Sequence, residues 1–196
     1  MIWPLFWHSP PCLSSRAQGD FPPLRHYSRQ GTDPAGGWTR IAIELALYQP
    51  DIAQNTGTLL RLGACLGVTL HIIHPTGFPF SARTVKRGAL DYLEHARFSE
   101  HDSYSHFDAW RRQTGRRLVL LTTKAGLSAY DARYLGDDVI MLGRESAGVP
   151  DAVADGADLR VRIPMRQEMR SLNVAVAGSL VIGEALRQTN VFAALT

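Results

Sequence analysis

From Arg40 onward the chain alternates short apolar runs with stretches of helical periodicity, and this alternation restricts the fold more than any other feature. Ile41–Leu47, Val68–Ile73, Leu118–Thr122, Val139–Leu142 and Leu159–Ile163 read as strands. Asn55 is placed to cap a helix with Leu59, Leu62 and Leu66 along one face. Further helices are predicted from near Ser81, through Tyr104, Phe107 and Trp110 to Arg112, briefly after Pro150, and from Asn173 to Gln188. Strands separated by helices predict an α/β domain, a mostly parallel sheet with helices on both faces.

Composition sets the outer bounds. A chain of 196 residues with 45% apolar and 20% charged residues suits one packed domain, with or without a tail. Residues 1–38 differ from the rest: they hold more than half of the prolines, and Arg16, Arg25 and Arg29 outnumber Asp20 and Asp33. They lack the basic start and unbroken apolar core of a signal peptide. An Arg-rich transit peptide is conceivable, but an N-terminal extension with no catalytic role is preferred, leaving 39–196 as a single domain. Cys12 and Cys65 suggest neither a disulfide framework nor a metal site, and Cys65 reads as a small core residue. No apolar stretch is long enough to span a membrane, so a cytoplasmic location is expected. Of the 21 basic residues, 19 are Arg. That skew fits phosphate recognition and genomic codon bias equally well.

Three loops carry the candidate chemistry. In Leu142-Gly143-Arg144-Glu145-Ser146-Ala147-Gly148-Val149-Pro150, two glycines follow a buried strand and let the backbone turn sharply against a ligand. Glu145 could accept hydrogen bonds from a ribose or from N–H groups of its own loop. In Pro50–Gly57 and on to Arg61, the arginine stands between Leu60 and Leu62 and calls for an anionic partner. That partner is a structural carboxylate or an RNA phosphate, with the carboxylate favoured. The third loop, Ile163 to Asn173, is long for an α/β connection, and Ser171 and Asn173 are both good helix caps. The final helix is apolar nearly all round, which asks for a cover beyond the sheet, either a second subunit or the monomer's own core.

Other signatures are missing. There is no Gly-x-Gly-x-x-Gly after the first strand, no Walker A sequence, no Gly-x-Ser-x-Gly elbow and no metal-type histidine spacing.

Taken together, the three loops resemble the motifs of the SPOUT RNA methyltransferases, most closely the small TrmL type that 2′-O-methylates tRNA wobble nucleotide 34. His71-Ile72-Ile73, Gly88-Ala89-Leu90-Asp91-Tyr92 and Leu121-Thr122-Thr123-Lys124 add to the resemblance, which covers Ile41 to Gln188. The resemblance implies an α/β-knot, with a C-terminal trefoil knot rare among protein chains. It implies a homodimer through the C-terminal helix, tRNA as partner, and S-adenosyl-L-methionine as cofactor with S-adenosyl-L-homocysteine as product and no metal. Cofactor-binding positions carried over are Leu121, Thr122, Thr123, Gly143, Arg144, Glu145, Ile163, Ser171 and Leu172. Arg61 and Asn55 would be catalytic, with Asn55 positioning Arg61 or the ribose. Arg83, Lys86, Arg87, Arg166 and Arg170 would bind RNA. Gly183, Ala175 and Val176 depart from the TrmL pattern and bring the final helix closer to other 2′-O-methylating relatives, acting on rRNA or another tRNA position. A non-catalytic knotted RNA-binding dimer is the alternative outside enzymes.

Overall fold

Hydrogen bonding joins seven short strands of the computed structural model, which describes residues 43–195, into one sheet. The strands are β1 (Glu44–Tyr48), β2 (Thr69–Ile73), β3 (Phe98–His101), β4 (Leu118–Leu121), β5 (Leu127–Ser128), β6 (Val139–Leu142) and β7 (Leu159–Arg162). Their order across the sheet is β3-β2-β1-β6-β4-β7-β5, and every paired neighbour is parallel. Both faces of such a sheet must be covered, which explains why the central strands are apolar on both sides. Ile140 and Leu142 face one core while Val139 and Met141 face the other, and β1 divides likewise into Leu45 and Leu47 against Ala46 and Tyr48. Each such fully buried aliphatic side chain contributes about 1.5–3 kcal/mol.

Three helices cover the first face: α1 (Ala53–Leu66), α2 (Ala82–Ala89) and, near the C-terminus, a fifth helix, Val174–Gln188. α1 and α2 cross backbone to backbone. A Cβ on Gly57 would stand 2.3 Å from the Val85 carbonyl oxygen, and one on Gly88 would stand 2.4 Å from that of Gln54. Only glycine at both positions permits that approach. A reciprocal capping box between Ser81 and Thr84 starts α2 near the predicted place.

α3 (Tyr104–Gln113) and α4 (Asp151–Asp155) cover the second face through Phe107 and Val153. A polar chain is buried beneath α3. His71 Nε2 lies 2.8 Å from Glu44 Oε2, and His71 Nδ1 lies 2.8 Å from His101 Nε2. A carboxylate only accepts, so the Glu44 contact is made by an N–H of His71. Trp110 lies against His71 at 4.2 Å between ring centroids. Burial, followed by the neighbouring His71 and His106, pushes the His101 pKa down to about 4.

Several sequence expectations change. The first strand runs Glu44–Tyr48, and Ile41, Ala42 and the 1–38 extension lie outside the described residues. β3 and β5 are additional strands: β3 has one apolar residue, Phe98, followed by the polar Ser99, Glu100 and His101, and β5 has only two residues. Cys65 is exposed, because it shares the outward face of α1 with Thr58 and Arg61. Of the two covers considered for the C-terminal helix, α5, the monomer's own core is not the one found, since this chain leaves one face of the helix open. It buries Ala175, Gly178, Val181, Ile182, Ala185 and Leu186, while Val176 (51%) and Leu180 (42%) remain exposed.

Candidate active site

The carboxyl ends of β1, β4, β6 and β7 open toward the same side, where the order of connections reverses across the sheet. Open parallel sheets hold ligands at such a crevice. Here a cleft of about 410 Å3 is lined by the loops after these strands and the first turns of α1 and α5. Leu121, Thr122, Thr123, Gly143, Arg144, Glu145, Ile163, Ser171 and Leu172 all line it, as does Asn55.

Residues 143–148 form a tight antiparallel turn. Arg144 and Gly148 exchange two backbone hydrogen bonds of 2.9 Å. Gly148 has φ +69°, a left-handed conformation, and a Cβ on Gly143 would meet the Gly148 backbone at 2.7 Å. The two glycines serve different needs, a turn at one and a close crossing at the other.

A hydrogen-bond chain ties the three loops together. Glu145 Oε2 accepts from the Asp51 backbone N–H at 2.7 Å, and Glu145 Oε1 accepts from Asn55 Nδ2 at 3.2 Å. Asn55 Oδ1 accepts from Asn173 Nδ2 at 3.0 Å. Asn173 Oδ1 then accepts from the N–H groups of Ala175 and Val176, capping α5. Asn55 therefore does not cap α1. Ile52 occupies that position without a side-chain cap, because the Asn55 amide is turned into the cleft wall. Glu145 takes its bonds from the Pro50–Asn55 segment and not from N–H groups of its own loop. Between the two cap candidates of the third loop, Asn173 caps and Ser171 does not.

A match to the model of the SpoU rRNA methylase family spans residues 42–183. The chain belongs to the SpoU methylase family. A tRNA (cytidine(34)-2′-O)-methyltransferase of Beijerinckia indica is 58% identical over 149 residues, covering 76% of this chain and 93% of that protein. The Escherichia coli K12 protein of the same name is 39% identical over 149 residues, covering 74% and 93%. A solved structure described as giving insight into 2-OH methylation of C/U34 on tRNA superposes with a TM-score of 0.72 at 38% identity, covering 76% of this chain and 96% of that one. An AdoMet-bound rRNA methyltransferase from Sinorhizobium meliloti superposes at 0.69 with 26% identity, covering 76% and 57%.

In this SpoU-family chain Arg61 stands apart from the cleft lining. Its side chain is exposed, with the guanidinium carbon 4.7 Å from the centre of the Tyr92 ring. The structural carboxylate favoured for Arg61 is not found among the described residues: both leucines turn inward while Arg61 turns out against the Tyr92 ring. Arg83, Lys86 and Arg87 are exposed on α2, and Arg166 and Arg170 are exposed on the third loop. Asn55 touches Glu145 and Asn173, and no hydrogen bond joins it to Arg61.

Sequence reasoning assigned no role to Asp51. Its Oδ1 accepts from Arg144 Nε (3.2 Å) and Nη2 (2.9 Å), and its Oδ2 accepts from the Ser146 N–H (3.1 Å) and hydroxyl (2.5 Å). These bonds, the Ser146 hydroxyl first and Arg144 next, hold its pKa below the usual carboxylate range. The only sequence signal was its place in the Pro50–Gly57 loop. Among the described residues no group of three or more His, Cys, Asp or Glu is arranged to hold a metal, and no helix is long and apolar enough to cross a membrane.

Proposed function

We propose that this chain is an S-adenosyl-L-methionine-dependent methyltransferase acting on the ribose 2′-hydroxyl of tRNA wobble nucleotide 34, cytidine or modified uridine. The observation that carries the reading is the convergence of three loops on one cleft, in a chain 58% identical to a relative named for that reaction. The cleft's volume suits a nucleoside-sized ligand. Its wall includes Gly143 and Gly148, which carry no side chains, and so suits a cofactor held largely through main-chain groups. Leu121 to Thr123, Gly143 to Glu145, Ile163, Ser171 and Leu172 would hold S-adenosyl-L-methionine, which supplies an electrophilic methyl group and leaves as S-adenosyl-L-homocysteine.

A ribose hydroxyl is a poor nucleophile and must lose its proton as the methyl arrives. Arg61 does not take that proton, since a guanidinium has a pKa above about 12. It acts by stabilising developing alkoxide charge or by fixing the adjacent phosphate. Tyr92 limits the positions its planar fork can adopt. Arg83, Lys86, Arg87, Arg166 and Arg170 grip RNA phosphates. The reading takes 39–196 as one domain with the C-terminal knot that the family resemblance implies. It also makes the protein a homodimer through the Val176–Leu180 face of α5. Because Arg61 does not line the cleft of its own protomer, the dimer is read as completing the site.

The test is methyl transfer from labelled cofactor to unmodified tRNA by wild type and Arg61→Ala. Wild-type transfer and a folded variant reduced at least about 100-fold are expected. A folded Arg61→Ala enzyme with the wild-type rate would remove Arg61 from the mechanism. The family description names rRNA, so rRNA as the second substrate class is assayed in parallel.

A further inference from the structure

Asp51 does not line the cleft, yet it contacts three consecutive residues of the 143–148 turn more than 90 positions away in sequence. Its carboxylate holds Arg144 and Ser146, and its own N–H holds Glu145. On the other side Asp51 is backed by the His74–Phe80 loop. A Cβ on Gly77 would lie 2.9 Å from the Asp51 Cα, and the Gly77 N–H bonds the Pro50 carbonyl at 2.9 Å. Within the turn itself, the Arg144–Gly148 backbone pair is the only backbone pairing. Its shape therefore depends on a brace from outside.

The same contact sets the charge of the cleft. Among the described residues, Arg144 and Glu145 are the only charged ones lining it. Pairing Arg144 with Asp51 at 2.9 Å leaves Glu145, held by the Asp51 N–H and the Asn55 amide, as the lining carboxylate without a cationic partner among the described residues, and its charge favours a cationic ligand over a neutral one of similar shape. Both Asp51 and Arg144 are partly shielded, with 18% and 39% of their side chains exposed, so salt screens the pair incompletely.

We propose that Asp51 is a positioning residue. It holds the 143–148 turn in its ligand-binding shape and neutralises Arg144, so that the cleft prefers the sulfonium form of the cofactor over its neutral thioether product. The proposal rests on the cofactor reading given above. Asp51→Asn is the informative change, since its amide nitrogen meets donors from Arg144 or Ser146 and cannot accept from them.

Calorimetric titration of wild type with S-adenosyl-L-methionine and with S-adenosyl-L-homocysteine gives the baseline. Absence of binding of either ligand to the wild type would overturn the cofactor reading. Given wild-type binding, Asp51→Asn is expected to bind the sulfonium cofactor at least tenfold more weakly and the neutral product only severalfold more weakly. Hydrogen exchange of the ligand-free protein is expected to speed up at amides 144–148 with the β-sheet amides unchanged. Ser146→Ala, which removes one arm and no charge, is expected to speed loop exchange while leaving the ratio of the two affinities at its wild-type value. Equal weakening of both ligands by Asp51→Asn would overturn the charge claim. Unchanged loop exchange in both variants would overturn the brace.

Discussion

Gly57→Ala tests how α1 and α2 are held together, and through them the spacing of Arg61 from the basic side chains of α2. The added carbon would lie 2.3 Å from the Val85 carbonyl oxygen, 2.8 Å from the Ala89 nitrogen and 2.9 Å from the Gly88 Cα. A carbon and a carbonyl oxygen approach no closer than roughly 3.3 Å, so the helices must separate by about 1 Å. All three obstructing atoms are backbone and cannot rotate away, which places the overpacking cost near the top of its usual range, about 3 kcal/mol. Alanine's better helix propensity returns about 1 kcal/mol. The net loss is about 2 kcal/mol, a fall in Tm of roughly 4–8 °C for a chain of this size. Thermal melting at one fixed protein concentration measures it, because association would otherwise shift Tm. KM for tRNA is expected to rise with it, since α2 carries Arg83, Lys86 and Arg87. A variant as stable as wild type or more so would refute the reasoning, as propensity would then outweigh a contact that is not in fact tight.

Three further outcomes are expected. His101 has a folded pKa near 4 against about 6.5 in the unfolded chain, so its contribution to stability is complete above pH 6.5 and is lost as pH falls toward 4. NMR titration is expected to find its ring neutral at pH 5.5, and His101→Gln is expected to flatten the stability profile across that window; a protonated ring at pH 5.5 would contradict this. Leu180→Arg, on the exposed face of α5, is expected to give a folded monomer by light scattering, where an unchanged dimer would exclude that face. Asn173→Ala removes both cap bonds of α5 and the partner of Asn55, for a loss of about 1–2 kcal/mol in denaturant melts; stability within about 0.5 kcal/mol of wild type would show that the cap contributes little.

The helices and central strands were legible because their apolar residues recur at helical spacing or run unbroken, with local caps in agreement at Ser81 and Asn173. β3 and β5 were not, since Phe98–His101 mixes polarity at a sheet edge and two residues carry no period. The loops of the site were legible as turns and unusual lengths, but their mutual bonds were not. Asn55 looks like a cap in sequence because caps and cleft-wall amides use the same residue type, and only tertiary contact with Glu145 and Asn173 decides between them. The roles of Asp51 and the outward turn of Arg61 likewise depend on partners 93 and 31 positions away, Arg144 and Tyr92.

The reaction is tested most simply by incubating the protein with labelled S-adenosyl-L-methionine and total tRNA from cells that lack this protein, then digesting the tRNA and mapping the label. The label is expected in 2′-O-methylcytidine or 2′-O-methylated modified uridine confined to position 34. Label on a base, on ribosomal RNA alone, or on no RNA would contradict it.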